Sequence, residues 1–210
     1  MTRKPPLGLQ VFQKEFFPAT AMPDKSWWSV LWPNPDSTVR TLGIKAEMTV
    51  VDLCCGNGHF TAALAELVNG KVYALIDPEM LNYARSEVTQ RGASVIEWLC
   101  ADARDIADLI PHEIDYVLIA NTFHGVPDKT ASAQTVARVL KPGGLFAIVN
   151  WHRIPREQTT VLDKPRGPNT EMRMSPDDVR AVVEPAGFRL ADLVELPPYH
   201  YGVVFQKSPG

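Results

Sequence analysis

The chain has 210 residues, 45% of them hydrophobic, which is enough to bury one sizeable core and implies a single domain. Its 21 basic and 24 acidic side chains leave a formal charge of -3, which excludes a global positive field for nucleic acid or anionic lipid and favours a small partner. Three cysteines, Cys54, Cys55 and Cys100, lack the spacing of a disulfide framework or zinc site, and no run approaches the roughly 18 apolar residues of a membrane span.

A reducing compartment follows, and since "MTRKPPLGLQ" has no apolar signal-peptide core, a cytoplasmic location is expected. Residues 1–46 form an aromatic and proline-rich N-terminal extension, ending in a short helix with Asp36 or Ser37 as its cap. Trp27, Trp28 and Trp32, with Phe16 and Phe17, either pack a helix onto a sheet or cover a crevice as a flap. Aromatics usually serve burial first, which favours packing.

Residues 47–151 alternate between short β-branched runs and segments with apolar residues at helical spacing. The strands are "MTVVDLC", "KVYALI", "SVIEWLC", "IDYVLIA" and "GLFAIVNW". Between them the helices are "GHFTAALAELV", "PEMLNYARSEVTQR", "ARDIADLI" and "DKTASAQTVARVL". This is the rhythm of βαβ units, and the nearly continuous apolar runs imply a parallel sheet with helices on both faces. Pro78 opens a helix after Asp77, and "KPGG" ends one.

Residues 152–174 are polar without an apolar period and predict a long loop or lid. Its cations Arg153, Arg156, Lys164, Arg166 and Arg173 suit either an anionic acceptor or a solvated surface. Residues 175–207 read as a helix capped by Ser175, then two strands separated by Pro197 and Pro198 that close the sheet at one edge. Tyr199 and Tyr201 are expected on one face of the last strand and His200 on the other.

In open α/β sheets ligands sit beyond the carboxyl ends of the strands. Asp52, Asp77, Asp102 and the segment Asn121 to His124 end four consecutive strands. In "DLCCGNG", Gly56 and Gly58 permit positive φ and close approach of a ligand to the main chain. The free N–H groups that follow suit a pyrophosphate or a carboxylate, so the acids choose. Asp52 would repel a pyrophosphate but attract an ammonium. Asp77, 77 − 56 = 21 residues after Gly56, can accept from both hydroxyls of a ribose, and Asp102 from an adenine amine. Ammonium, carboxylate, ribose and adenine together describe S-adenosylmethionine.

With the turn at Asp52, Cys54, Gly56 and Gly58, "IDPEML", "CADARD" and "VARVLKPGG" in this order, residues 47–206 resemble a class I S-adenosylmethionine-dependent methyltransferase. The likeness is to the small-molecule type, similar to the ubiquinone and menaquinone biosynthesis methyltransferases. The resemblance implies a Rossmann-like, doubly wound, mostly parallel seven-stranded sheet whose last strand, "YHYGVVFQK", runs antiparallel. It places Gly56 and Gly58 at the methionine part, Asp77 at the ribose, Asp102 and Ala103 at the adenine, and Met80 and Leu81 near its ring. Asp52, Cys54, Pro78 and Asn121 complete the cofactor set. Cys54 stands where the pattern has its first glycine, which requires an ordinary negative φ there.

For catalysis His124, after the fourth strand, is the first candidate base and His152, after the fifth, the second; each reads equally as a loop histidine. Trp28, Trp151 and Tyr199 are candidate acceptor-binding residues, and no metal site is expected. "NTFH" differs from the Asn/Asp-Pro-Pro-aromatic motif of methyltransferases acting on nucleic-acid or protein amide nitrogens. Adjacent Cys54 and Cys55 read as small buried hydrophobes rather than redox groups. The rival readings are a nicotinamide-dependent oxidoreductase, which expects a glycine where Thr61 stands, and a non-catalytic S-adenosylmethionine-binding module.

Overall fold

The computed structural model describes residues 23–110 and 113–209; Phe16 and Phe17 lie outside them. Helix α1 (Lys25–Leu31) starts where the Asp24 carboxylate accepts from Ser26 N at 2.8 Å. Helix α2 (Pro35–Thr41) starts at Asn34, whose Oδ1 accepts from Ser37 N at 3.0 Å. The cap is therefore Asn34 and not Asp36 or Ser37. Pro35, lacking an N–H, fits the first helical position and moves the cap to the residue before it.

Strands and helices then alternate as β1 (Val50–Leu53), α3 (His59–Leu67), β2 (Val72–Leu75), α4 (Leu81–Gln90), β3 (Glu97–Leu99), α5 (Ile106–Leu109), β4 (Ile114–Ala120), α6 (Lys129–Val139) and β5 (Leu140–Trp151). Residues 141–144 do not terminate α6 but lie within β5. Leu140 is already extended at φ -76° and ψ 142° and pairs with Ile114, and the ladder resumes at Tyr116 and Leu145. The "KPGG" stretch is thus a strand irregularity, with Gly143 at φ 75°.

After β5 the polar segment carries a two-residue hairpin, β6 (Thr160–Val161) with β7 (Lys164–Pro165), flanked by short 3-10 turns. It is held by polar contacts in place of an apolar period. Arg173, only 3% exposed, donates to the carbonyls of Ile154, Pro168 and Arg166 and to Thr159 Oγ1 over 2.9–3.1 Å. Helix α7 (Pro176–Val183) follows, with a capping box between Ser175 and Asp178, and the chain ends in β8 (Phe188–Leu196) and β9 (His200–Lys207).

The seven-stranded sheet has the order β3-β2-β1-β4-β5-β9-β8. Strands β1 to β5 pair in parallel, and β9, the last in sequence, inserts between β5 and β8 antiparallel to both. Because successive side chains alternate across a strand, the sheet feeds two cores. Val51, Leu53, Val117 and Phe146 pack beneath α6 and α7; Val50, Tyr116, Leu118 and Val149 pack with Trp28, Phe60 and Leu64 on the other face. There Tyr116 also donates its hydroxyl to Leu42 O at 2.6 Å, tying the N-terminal helices to the sheet. No helix among the described residues is long and apolar enough to cross a membrane.

Candidate active site

Since β1 sends its connections to β2 on one side while β4 lies on the other, the strand order reverses between β1 and β4. A crevice opens beyond their carboxyl ends. A cavity of about 730 Å³ fills this place, walled by strand ends, by α1 and by the segment after β5.

Asp52 reaches the cavity from β1 although it is 2% exposed. Burial pushes its carboxyl up to about 6, while the hydroxyl of Thr61, donating to Oδ2 at 2.6 Å, pulls the other way. The turn after β1 departs from expectation at Cys54, whose φ is +63°, not negative. Left-handed backbone is costly for a residue with a Cβ, so this is local strain at the position where the family pattern has glycine. Neighbouring bonds hold it: Cys55 N donates to Leu75 O at 2.9 Å and Gly58 N to Cys55 O at 3.0 Å. Burial drives the Cys54 thiol up to about 12 and the Cys55 thiol well above its ordinary value, which fits inert cysteines.

Gly56, at φ 55°, lines the cavity with bare backbone. Gly58 does not line it. Its φ of 82° caps α3, and a Cβ there would stand 2.7 Å from Ala84 Cα, so this glycine serves the packing of α3 on α4.

At the end of β2, Asp77 lines the cavity and accepts from Glu79 N at 2.9 Å, opening a 3-10 turn. Pro78 is the first residue of that turn and stands outside the cavity lining, whereas Met80 is part of it. After β3, Asp102 and Ala103 are both buried and both line it. The Asp102 carboxylate is gripped by Arg104, Nε to Oδ1 at 2.8 Å and Nη2 to Oδ2 at 2.6 Å. Oδ1 also accepts from the backbone N of Arg104 at 2.8 Å.

Beyond β4, Asn121 adopts φ 59°, a conformation asparagine tolerates better than most residues, and lines the cavity. Its buried amide has no hydrogen-bond partner. His124 is buried against the same cavity with Nε2 unpartnered; burial, then the Lys129 ammonium, push its pKa down to about 4. His152 is turned away. Trp151, the last residue of β5, lines the cavity, whereas His152, just beyond the strand, lies beside Tyr201 with its Nε2 2.8 Å from Glu195 Oε2.

Trp27 and Trp28 of α1 are buried and line the cavity too, so packing and covering are one arrangement. Tyr199 does not reach it. This residue lies in the turn before β9, outside the strand alternation, stacks on Trp151 at 6.1 Å and donates its hydroxyl to Thr160 O at 2.9 Å. It therefore shares the Trp151 side with His200, whose ring lies 4.1 Å from Trp151, and not the side of Tyr201.

Sequence reasoning missed Thr61 as the partner of Asp52 and Arg104 as the partner of Asp102. A threonine in the first turn of the helix after an acid-ending strand is a usable signal for the first. Arg156 and Arg166, read only as part of a positive loop, line the cavity.

The model of the methyltransferase domain family matches residues 44–181. The ubiquinone/menaquinone biosynthesis C-methyltransferase of Shewanella oneidensis is 32% identical over 124 residues, covering 57% of this chain and 49% of its own. A demethylmenaquinone methyltransferase of Bacillus subtilis is 32% identical over 112 residues, 52% of this chain and 48% of its own. The chain thus spans about half the length of the curated relatives it matches. The crystal structure of a SAM-dependent methyltransferase from Aquifex aeolicus superimposes with a TM-score of 0.72 at 28% identity, covering 88% of this chain and 94% of that one. A doubly wound sheet with an inserted antiparallel last strand, and acids at successive strand ends around one cavity, defines an α/β fold of the Rossmann-like class. This chain belongs to the methyltransferase domain family.

Proposed function

We propose that this chain transfers the methyl group of S-adenosylmethionine to a small molecule. Asp52, Cys54, Gly56, Asp77, Met80, Asp102, Ala103 and Asn121 hold the cofactor, and Trp28 and Trp151 face the acceptor. The observation that carries this reading is convergence: four neighbouring strand ends bring three carboxylates and an amide to one cavity. Two details fit the cofactor. The Asn121 amide is buried without a partner, as suits a group that meets a ligand. The Asp52 carboxyl is raised by burial, a cost that a ligand ammonium would offset.

When bound, the cofactor supplies a methyl carbon already activated on a sulfonium. The residues of the chain have then to align the acceptor and keep out water. Trp27 and Trp28 on α1 and Gly167, Pro168 and Met172 of the loop wall the cavity from two segments outside the sheet. His124, neutral at pH 7, is a weak base, and its unpartnered Nε2 is suited to accept a hydrogen bond from an acceptor O–H or N–H. The relatives named for ubiquinone and menaquinone biosynthesis put a quinol on the panel of acceptors to test. A cytoplasmic setting is part of the proposal.

The rival nicotinamide reading is weakened by Thr61, which stands at the third glycine position and is engaged by Asp52. Calorimetry with S-adenosylhomocysteine and with NAD separates them: binding of the former is expected, and binding of NAD alone overturns the proposal. Incubation with methyl-labelled cofactor and phenols, thiols, amines, quinols and carboxylates then tests turnover. Label on none of them points to a binding module.

A further inference from the structure

The cavity has two kinds of charge. The sheet supplies Asp52, Asp77 and Asp102, whereas the segment after β5 supplies Arg156 and Arg166. Arg156 donates from Nε to Gly167 O at 3.0 Å and from Nη2 to Pro165 O at 3.3 Å, leaving the Nη1 protons. Arg166 has one long contact, Nε to Val161 O at 3.5 Å, and its guanidinium lies 4.9 Å from the centre of the Trp27 ring.

Among the described residues neither guanidinium pairs with a carboxylate, although Arg91, Arg104, Arg153 and Arg180 all do. Asp24 is near enough to Arg166 to feel it, but its own carboxyl is held chiefly by Ser26. Arg173, outside the cavity lining, is buried, and Arg156 disfavours its charge while Glu157 favours it. Arg156 and Arg166 are the charged side chains that this segment sends to the cavity, and two like charges there leave a positive potential that an anion would relieve.

The cofactor does not answer this potential. It carries a sulfonium and an ammonium against one carboxylate, a net positive charge, and the N–H groups that follow Gly56 suit that carboxylate. Trp27, Trp28 and Trp151 line the same space and offer flat apolar surface. Resting on the methyltransferase reading, we propose that Arg156 and Arg166 hold a carboxylate on the acceptor, whose planar body lies against these tryptophans. A guanidinium fork matches a carboxylate in geometry and charge, so the pair selects acids over neutral analogues of the same shape.

The test uses the full chain in two titrations. S-adenosylhomocysteine is titrated first, and a wild-type chain that does not bind it overturns the methyltransferase reading and this proposal with it. The loaded protein is then titrated with matched pairs: benzoate and benzamide, 2-naphthoate and 2-naphthamide, indole-3-carboxylate and indole-3-carboxamide. In at least one pair the acid is expected to bind about tenfold or more tightly than its amide, the difference one charge-assisted contact makes.

The double variant Arg156→Gln/Arg166→Gln is expected to lose that preference and keep its S-adenosylhomocysteine affinity. Arg156→Lys/Arg166→Lys, which retains the charge, is expected to keep part of it. Equal binding of acid and amide, binding of no member of any pair, or a preference that survives in the glutamine variant each overturns the proposal. Equal loss of cofactor-product affinity in the glutamine variant also overturns it, by assigning the arginines to the cofactor's carboxylate.

Discussion

Thr61 Oγ1 donates to Asp52 Oδ2 at 2.6 Å, joining the first turn of α3 to the end of β1 inside the sheet's upper edge. The bond is buried, and it lowers a carboxyl that burial otherwise raises. Thr61→Val keeps the shape and removes the donor. Its expected effects are an Asp52 titration shifted upward from about 6 and a stability loss of about 1–2 kcal/mol, the cost of a buried acceptor losing its partner. Chemical denaturation at pH 5 and pH 8 checks both, the loss being larger at pH 8, where the carboxylate is charged.

Asp52 itself sets a pH dependence with a definite sign. Its folded carboxyl is raised from 3.8 to about 6, so its favourable contribution is complete below 3.8 and is lost as pH rises through about 6. Asp52→Asn, which still accepts from Thr61, is therefore expected to stabilise the ligand-free protein above pH 6, by about 1–3 kcal/mol at pH 8. The same variant is expected to weaken S-adenosylhomocysteine binding, and in wild type that affinity should fall as pH drops below about 6. An affinity flat from pH 5 to pH 8 contradicts an Asp52–ammonium contact.

Cys54 sits at φ 63°, where a branched side chain is strained and glycine is not. Cys54→Val is expected to lose about 1–3 kcal/mol of stability, while Cys54→Gly stays within about 1 kcal/mol of wild type because relief of strain offsets the lost side chain. Denaturant midpoints read the contrast, and the reverse order would be the signature of an ordinary negative φ.

Asp77 is exposed and has one backbone donor, leaving most of its acceptor capacity for a ligand. Asp77→Ala is expected to weaken S-adenosylhomocysteine binding by about 1–3 kcal/mol, since two ribose hydroxyls lose their acceptor. A titration showing unchanged affinity removes the ribose assignment.

The alternation of β-branched runs with 3.6-periodic segments was legible because strands and helices bury different patterns, and the Ser175 cap was legible because capping is local. Local reasoning stumbled where a neighbour in sequence altered the rule. Pro35 displaced a cap to Asn34, and the "KPGG" stretch was absorbed into β5 because Leu140 found a partner in Ile114.

By itself the sequence determined that acids would end β1, β2 and β3 and that a glycine-bearing turn would follow the first of them. A doubly wound sheet sends all such ends to one side, whatever the details. Only the tertiary structure decided which side chains meet there. Trp151 enters the cavity while His152 turns to Glu195 on β8, Gly58 faces Ala84 because α4 packs on α3, and Arg156 and Arg166 reach the cavity through a loop with no period to read. The physical reason is range: backbone preferences and capping act over a few residues, whereas the direction of a side chain depends on partners tens of residues away.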